Sequence, residues 1–101
     1  MWLDFEPQSG HEQKGRRPAL VLSPAAYNKR AGLMVCCPMT TQIKGYPFEV
    51  LVESTEGQRS VVLSDQVKSL DWQTRHAARK GRASEDELAE VLGKIKALLK
   101  N

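Results

Sequence analysis

The stretches PALVLS at residues 18–23 and LMVCCP at residues 33–38 decide the fold of this 101-residue chain. Each is a short, continuous apolar run, which is the pattern of a buried strand. Pro24 follows the first run and Pro38 ends the second, and proline interrupts regular pairing because it lacks a backbone N–H. The polar segment 25–32 is interpreted as a connection. The two runs therefore predict two buried strands joined by a polar linker.

Further short strands are predicted on both sides of these runs. Residues 2–5 alternate between apolar and polar side chains, as a half-buried strand does. Residues 48–53 and 60–63 are separated by a glycine-containing turn signal and predict a hairpin. Residues 66–70 form a short semi-apolar piece, and the polar, basic segment 71–83 has no predicted element.

The C-terminal segment predicts an amphipathic helix. Ser84 stands three residues before Glu87, which is the spacing of a capping box. Apolar residues then recur at helical spacing on one face, where they are expected to pack on the sheet: Leu88, Val91, Leu92, Ile95, Leu98 and Leu99. Short strands followed by one helix predict a mainly β (α+β) fold, a small antiparallel, barrel-like sheet with short helices. We expect a single domain over residues 1–101.

The composition is that of an ordinary globular protein. Charged residues make up 27% of the chain and hydrophobic residues 41%, which excludes disordered and membrane-spanning classes. The net charge of +3 suits a polyanionic partner. Cys36 and Cys37 are adjacent, so on a strand they point to opposite faces and neither bridge each other nor form a zinc site alone. No secretory signal is visible, and we expect a cytoplasmic protein with reduced thiols.

Two polar loops leave apolar strands abruptly and are the candidate site. The sequence contains no phosphate-binding loop, metalloprotease motif or nucleophile elbow, and neither a metal nor a cofactor is expected. The loops 10–18 and 38–45 can face each other across a groove at the sheet edge. Arg17, Lys14 and Lys44 would then supply phosphate contacts, and Thr40, Thr41 and Gln42 neutral hydrogen bonds. Local features alone favour the simpler interpretation, in which both segments are solvated loops that carry no chemistry.

Several motifs in a fixed order carry a family resemblance. They are Trp2-x-Asp4-Phe5-x-Pro7; Gly10-x-Glu12-Gln13-x-x-x-Arg17-Pro18-Ala19-x-Val21-Leu22-Ser23-Pro24; Pro38-x-Thr40-Thr41-Gln42-x-Lys44-Gly45-Tyr46-Pro47-Phe48-Glu49-Val50; and Asp65-Gln66-Val67-Lys68-Ser69-Leu70-Asp71-Trp72. On these residues, nearly the whole chain resembles the MazF/PemK family of bacterial toxin endoribonucleases.

The resemblance implies a function as well as a CcdB/PemK-like fold. It implies a homodimeric toxin of a type II toxin–antitoxin system that cuts single-stranded RNA at short sequence motifs and so inhibits translation and growth. It implies no metal, and products with 2′,3′-cyclic phosphate and 5′-hydroxyl ends. A MazE-like antitoxin is the implied protein partner, and operator DNA is bound only through the antitoxin complex. No membrane association is implied.

The resemblance also assigns roles to individual residues. Its catalytic arginine falls on Arg17, its catalytic threonine on Thr40, and a supporting acidic residue on Glu12. Further RNA contacts are predicted from the resemblance and from the two loops, at His11, Gln13, Lys14, Arg16, Asn28, Thr41, Gln42 and Lys44. His11 is the rival to Arg17 as general base, because an imidazole has an unperturbed pKa of about 6.5.

Two alternatives and one departure from the family pattern stay open at this point. A related barrel toxin, CcdB, poisons DNA gyrase through its helix surface and cuts nothing, and an RNA-binding module without cleavage would show only salt-dependent affinity. Family members usually have further residues before Trp2. Either the start of the chain is chosen differently here, or the first strand is shorter, with a less protected edge.

Overall fold

A computed structural model describes residues 2–5, 17–53, 57–73 and 78–99, with side chains described for 18–53, 57–73 and 81–99. Helix α1 spans Ala25–Ala31, helix α2 spans Glu85–Leu98, and Ser64–Gln66 forms one 3₁₀ turn. None of the helices in these ranges is long and apolar enough to cross a membrane. The strands are β1 (Trp2–Phe5), β2 (Arg17–Val21), β3 (Leu33–Thr40), β4 (Glu49–Glu53), β5 (Arg59–Leu63), β6 (Lys68–Asp71) and β7 (Ala78–Gly81).

Strand β3 organises the sheet because it has three partners. One edge of β3 pairs antiparallel with β2. The other edge pairs first with β6, over Leu33–Cys36, and then with β5 from Met39 onward. Strand β4 extends the sheet beyond β5, and β1 and β7 extend it beyond β2, so the order is β4-β5-β3-β2-β1-β7 with β6 beside β3. Every pair is antiparallel.

The predicted antiparallel β fold with a C-terminal helix is confirmed. Strand 2–5 is confirmed as β1, and the hairpin 48–53 and 60–63 as β4 and β5 within one residue at each start. Among the strands in the described ranges, β4 and β7 each pair along one edge. Over these strands the sheet is therefore open and not closed into a barrel.

Apolar residues are buried on both faces of the central strands. Leu20 of β2 and Cys37 of β3 belong to a cluster that also contains Val50, Val62 and Val91, from β4, β5 and α2. Their neighbours in sequence belong to a second cluster, packed against Leu70 and Trp72: Ala19, Val21, Met34 and Cys36. Because side chains alternate along a strand, burial on both faces requires the continuous apolar runs from which β2 and β3 were predicted.

Helix α2 begins at the predicted capping box. The Glu87 backbone N–H donates to the Ser84 hydroxyl at 3.0 Å, and the Ser84 N–H donates to the Glu87 carboxylate at 2.9 Å. The predicted apolar stripe is only partly used, since Val91 is buried and Leu88 and Ile95 pack at the edge of the first cluster. The remaining leucines of the stripe are exposed: Leu92, Leu98 and Leu99.

Three interpretations of the sequence are corrected by the structure. The supposed linker 25–32 contains α1, which begins after Pro24 and ends at Gly32 with a φ of 73°, a conformation that glycine adopts without steric cost. The basic segment 71–83 contains β7. Strand β3 continues past Pro38 to Thr40.

The position of Pro38 explains why β3 continues. Pro38 lies opposite Ala19 of β2, while on the other edge of β3 the β6 pairing ends at Cys36 and the β5 pairing starts at Met39. A missing N–H is tolerated where no partner strand needs it. Pro38 therefore stands in the gap between β6 and β5, and it marks the change of partner instead of the end of the strand.

Candidate functional site

The predicted catalytic threonine ends the central strand of the sheet. Thr40 is the last residue of β3, where its backbone is fixed by pairing with Val61 of β5. Its hydroxyl oxygen accepts a hydrogen bond from the Gln42 backbone N–H at 3.1 Å. Since this bond uses the oxygen as acceptor, the O–H hydrogen remains available to a further acceptor. Thr40 is half-buried, so it is both held by the sheet and open to solvent.

Thr40 lies in the wall of a groove of about 260 Å³ at this end of the sheet. We call it the strand-end groove; its lining residues are Thr40, Gln42, Lys44, Tyr46, Phe48, Glu49, Leu63 and Gln66. Three of the predicted site residues, Thr40, Gln42 and Lys44, are thus brought together on one concave surface. Thr41 lies next to them in sequence and is exposed, outside the lining set.

The register of β2 and β3 places Arg17 at the same end of the sheet as Thr40. The last recorded pair in this direction is Ala19 with Pro38. Arg17, the first residue of β2, stands two residues before Ala19, and Thr40, the last residue of β3, stands two residues after Pro38. Because the two strands are antiparallel, Arg17 and Thr40 lie at the same end of the sheet. The chain therefore enters β2 and leaves β3 at this end.

Most of the first predicted loop lies outside the residues that the structure describes. Arg17 is described for its backbone alone. The other predicted residues of this loop fall entirely outside: His11, Glu12, Gln13, Lys14 and Arg16. Their assignments stay predictions.

The groove wall opposite Thr40 is a tight turn held by Glu49. The Glu49 carboxylate accepts from the Gly45 N–H at 2.9 Å and from the Lys44 N–H at 3.2 Å. The turn closes when the Glu49 N–H donates to the Tyr46 carbonyl at 3.0 Å. Gly45 has a φ of 80°, which an L side chain rarely adopts. We call residues 44–49 the groove turn.

Two aromatic rings of the groove turn face the same space. The Tyr46 and Phe48 rings have centroids 5.4 Å apart at an interplanar angle of 31°. Tyr46 is 51% exposed, so its ring is open to solvent at the groove. Trp72 packs on the second cluster and donates its indole N–H to the Asn28 carbonyl at 2.9 Å, so it is a structural residue.

Asn28 is placed differently from the other predicted RNA contacts. It is 5% exposed, its side-chain oxygen accepts from the Ser23 hydroxyl at 2.5 Å, and its side-chain amide donates to the Ser23 carbonyl at 3.3 Å. The same hydroxyl accepts from the Val35 N–H at 3.0 Å. Asn28 thereby ties α1 to the start of β3, and it is outside the lining of the strand-end groove.

Sequence reasoning missed several residues that shape the groove. Glu49 and Phe48 stand in the quoted motif, but the sequence predicts only a strand there. Leu63 and Gln66 come from the end of β5 and the following 3₁₀ turn. No local pattern identifies these two, because they reach the groove only through the pairing of β5 with β3. An exposed-aromatic and acidic pair beside a Lys-Gly dipeptide is the signal that points to the groove turn.

The titration of one buried thiol is strongly shifted in the core below the site. Burial, together with the nearby Cys36 and Asp65, raises the pKa of the Cys37 thiol to about 11. Such a thiol is neutral at physiological pH and is a poor nucleophile. Within the described side chains, no three His, Cys, Asp or Glu residues are grouped so as to hold a metal ion.

Comparison with known proteins agrees with this architecture. The family described as PemK-like, MazF-like toxin of type II toxin–antitoxin system matches residues 1–99. The endoribonuclease toxin MazF of Escherichia coli K12 is 48% identical over 99 residues, which cover 98% of this chain and 88% of that protein. A MazE–MazF crystal structure from Deinococcus radiodurans has a TM-score of 0.85 at 50% identity, covering 97% of this chain and 89% of the other.

The structure of MazF from the same organism has a TM-score of 0.80 at 58% identity, again with 97% and 89% of the two chains covered. Sequence and fold thus agree over almost the full length of each partner in the comparison. The chain therefore belongs to the PemK-like, MazF-like toxin family of type II toxin–antitoxin systems.

Proposed function

We propose that this chain is a sequence-specific, metal-independent endoribonuclease that cleaves single-stranded RNA, the toxin of a type II toxin–antitoxin pair. The observation that carries the proposal is the strand-end groove, whose wall holds Thr40, Gln42 and Lys44, at the end of the sheet where β2 begins with Arg17. The proposal is also supported by the 48% identity between this chain, over 98% of its length, and an endoribonuclease toxin.

The chemistry that suits these residues is attack by the RNA's own 2′-hydroxyl. The 2′-oxygen forms a bond to the adjacent phosphorus while the bond from phosphorus to the 5′-oxygen breaks. A base takes the 2′-hydroxyl proton, and the leaving 5′-oxygen takes up a proton from the surrounding water. The products are then a 2′,3′-cyclic phosphate and a 5′-hydroxyl.

We assign to Arg17 the stabilisation of the negative charge that develops on the phosphate. A guanidinium donates two parallel hydrogen bonds to phosphate oxygens, and one such donor contributes about 3 kcal/mol to transition-state stabilisation. The Thr40 O–H, left available by the Gln42 contact, donates to the same phosphate or to the attacking hydroxyl. Glu12 orients Arg17 through a charge-assisted pair.

Two residues, Arg17 and His11, are candidates for the general base. A free guanidinium releases its proton poorly, so Arg17 as base requires a strongly perturbing site. An imidazole releases its proton near neutral pH. We assign the base to Arg17, on the family pattern, and retain His11 as the residue whose variant decides the question.

The wider biology follows from the same assignment. The whole chain, residues 1–101, acts as one toxin domain and as a homodimer in the cytoplasm. A MazE-like antitoxin binds and blocks it; the D. radiodurans relative is known in a MazE–MazF complex. Operator DNA is contacted through the antitoxin complex. Free toxin cuts messenger RNA, which stops translation and growth.

Cleavage of one long single-stranded transcript in the presence of a chelator tests the proposal. Wild-type protein is expected to cut at a short recurring motif, and the fragments are expected to accept phosphate at the 5′ end without prior phosphatase treatment. Arg17→Ala is expected to lose activity by roughly 100-fold or more. Thr40→Ala is expected to fall strongly, whereas Thr40→Ser keeps the hydroxyl and retains most activity.

Arg59→Ala is the matched control, because Arg59 is exposed at the far end of β5 from the groove. Circular dichroism checks that each variant is folded. Undiminished cleavage by Arg17→Ala would remove this mechanism, and loss of activity confined to His11→Ala would transfer the base to His11. A wild-type chain that leaves RNA intact but inhibits gyrase would replace the nuclease with a protein-targeting toxin.

A further inference from the structure

The groove turn is held from outside the groove as well as from within it. Lys94 of α2 donates from its ammonium group to the Pro47 carbonyl at 2.5 Å and to the Glu49 carbonyl at 3.1 Å. These carbonyls flank Phe48, whose own carbonyl accepts from the Ser64 N–H at 3.3 Å. Lys94 itself is not among the residues that line the strand-end groove.

The two holding contacts act on opposite backbone groups of the same turn. The Glu49 carboxylate takes up the N–H groups of Lys44 and Gly45, and the Lys94 ammonium takes up carbonyls at Pro47 and Glu49. Hydrogen bonds with an ionised donor or acceptor are roughly twice as strong as neutral ones. The turn is therefore fixed at both ends by charged side chains.

Lys94 is partly shielded, which strengthens its contacts. Its side chain is 31% exposed and its nearest acidic neighbour, Glu90, is one helical turn earlier at 3.7 Å. The aliphatic part of Lys94 lies with Pro47, Phe48, Ala97 and Leu98 around an apolar pocket behind the turn. Phe48 lines both this pocket and the strand-end groove, so the Phe48 ring is the wall between them.

We propose that Lys94 is a positioning residue for RNA cleavage, holding the groove turn in its productive shape from behind. This inference rests on the nuclease function proposed above. Lys94 sets the place of Phe48 and of Glu49, and Glu49 in turn sets Lys44 beside Thr40. A small displacement of one wall alters the alignment of substrate and catalytic groups, to which reaction rates are steeply sensitive.

The expected signature is a loss in turnover with binding preserved. Without the ammonium group, the two carbonyls return to water and the turn samples other conformations. Affinity for RNA depends mainly on phosphate contacts, which Lys94 does not supply from behind the wall. We expect kcat about tenfold lower, while KM changes by at most about twofold.

The test compares Lys94→Met, Lys94→Arg and Lys96→Met in the full-length chain. Methionine keeps the apolar stem and removes the charge. Lys96→Met removes the same charge from an exposed position on the same helix, so it corrects for the electrostatic effect on a polyanionic substrate. Arginine restores a cation with several donors and is expected to restore most of kcat.

Hydrogen exchange of the segment 41–49 gives a second readout that needs no RNA. Exchange there is expected to quicken in Lys94→Met alone, with β2 and β3 unchanged in all three variants. A wild-type chain that cuts no RNA overturns the nuclease function and this inference with it. A cleaving wild type whose Lys94→Met variant matches Lys96→Met in kcat, or whose segment 41–49 exchanges as slowly as before, overturns the role of Lys94 alone.

Discussion

At the scale of single residues, the hydrogen bonds that Thr40 and Glu49 make within the protein decide what each side chain can offer a substrate. The Thr40 oxygen is occupied as an acceptor by the Gln42 N–H, which directs its hydroxyl hydrogen elsewhere. The Glu49 carboxylate lines the groove, yet its charge is taken up by two backbone N–H groups. A carboxylate satisfied in this way repels a nearby phosphate less than a free one, because backbone dipoles offset part of its charge.

Cys37 makes the stability of the fold sensitive to alkaline pH. Its pKa is about 11 when folded, above the ordinary 9.0, so the folded state holds the proton longer than the unfolded chain does. The resulting stability is complete below pH 9 and is lost as the pH rises through 11. We expect ionisation of the Cys37 thiol to make the free energy of unfolding about 2 kcal/mol lower at pH 11 than below pH 9.

Urea unfolding of the wild type and Cys37→Ala at pH 7, 9, 10 and 11 measures this effect. The variant is expected to be less stable at pH 7, because it loses packing in the core, and to decline less between pH 9 and 11. Parallel pH profiles for the two proteins would show that Cys37 does not ionise in this range.

At the scale of elements, α2 docks on the sheet and contains one weak position. Gly93 is exposed in the helix interior, and a Cβ added there meets no atom within 4 Å. We expect Gly93→Ala to raise the free energy of unfolding by about 1 kcal/mol, since alanine loses less backbone entropy in a helix. Chemical denaturation monitored at 222 nm measures the change.

Gly32→Ala is the matched counterpart, because it makes the same substitution at the end of α1 with a φ of 73°. The strained left-handed backbone is expected to cost about 1 kcal/mol or more. Opposite signs are therefore expected for the two variants. Equal effects would mean that backbone conformation does not decide the outcome at these glycines.

The elements that could be predicted from the sequence are those with a local physical signature. The buried runs of β2 and β3 and the Ser84 capping box are such signatures, and all three are confirmed. Helix α1 was missed because only Asn28 among its residues is buried, so it shows no apolar periodicity. Strand β7 was missed because its partner, β1, lies more than 70 residues away in the chain.

In the candidate site, too, the residues with a local signature could be predicted, and those brought in by tertiary pairing could not. Thr40, Gln42 and Lys44 were predicted from a polar loop at a strand end, and they do share a groove. Leu63 and Gln66 could not be predicted, since tertiary pairing alone brings them there. Asn28 shows the converse, because a polar residue on a polar segment is buried in a local network.

At the scale of the whole molecule, several large apolar side chains remain on the surface. Leu98 and Leu99 of the α2 end are 57% and 76% exposed, and Leu51 on β4 is 44% exposed. A domain of this size buries a smaller share of its surface than a larger one does. The proposed homodimer would compensate for this deficit.

Dimer formation predicts a melting temperature that rises with protein concentration. Between roughly 1 and 100 µM, Tm is expected to increase by several degrees, because association stabilises the folded state by mass action. Calorimetry over this range, with sedimentation equilibrium for the mass, tests it. A constant Tm together with the mass of a monomer would rule out the dimer.

The ladder between β2 and β3 has a consequence for how this protein tolerates evolutionary change. Arg17 and Thr40 lie at the same end of the sheet because Ala19, Leu20 and Val21 are paired with Pro38, Cys37 and Cys36, and buried side chains on both faces lock that alignment. Within α1, Asn28 is the buried residue, and its bonds to Ser23 tie the helix to this ladder. The exposed positions of α1 are therefore free to change among descendants, while Asn28 and the pairing that keeps Arg17 and Thr40 at one end of the sheet are inherited together.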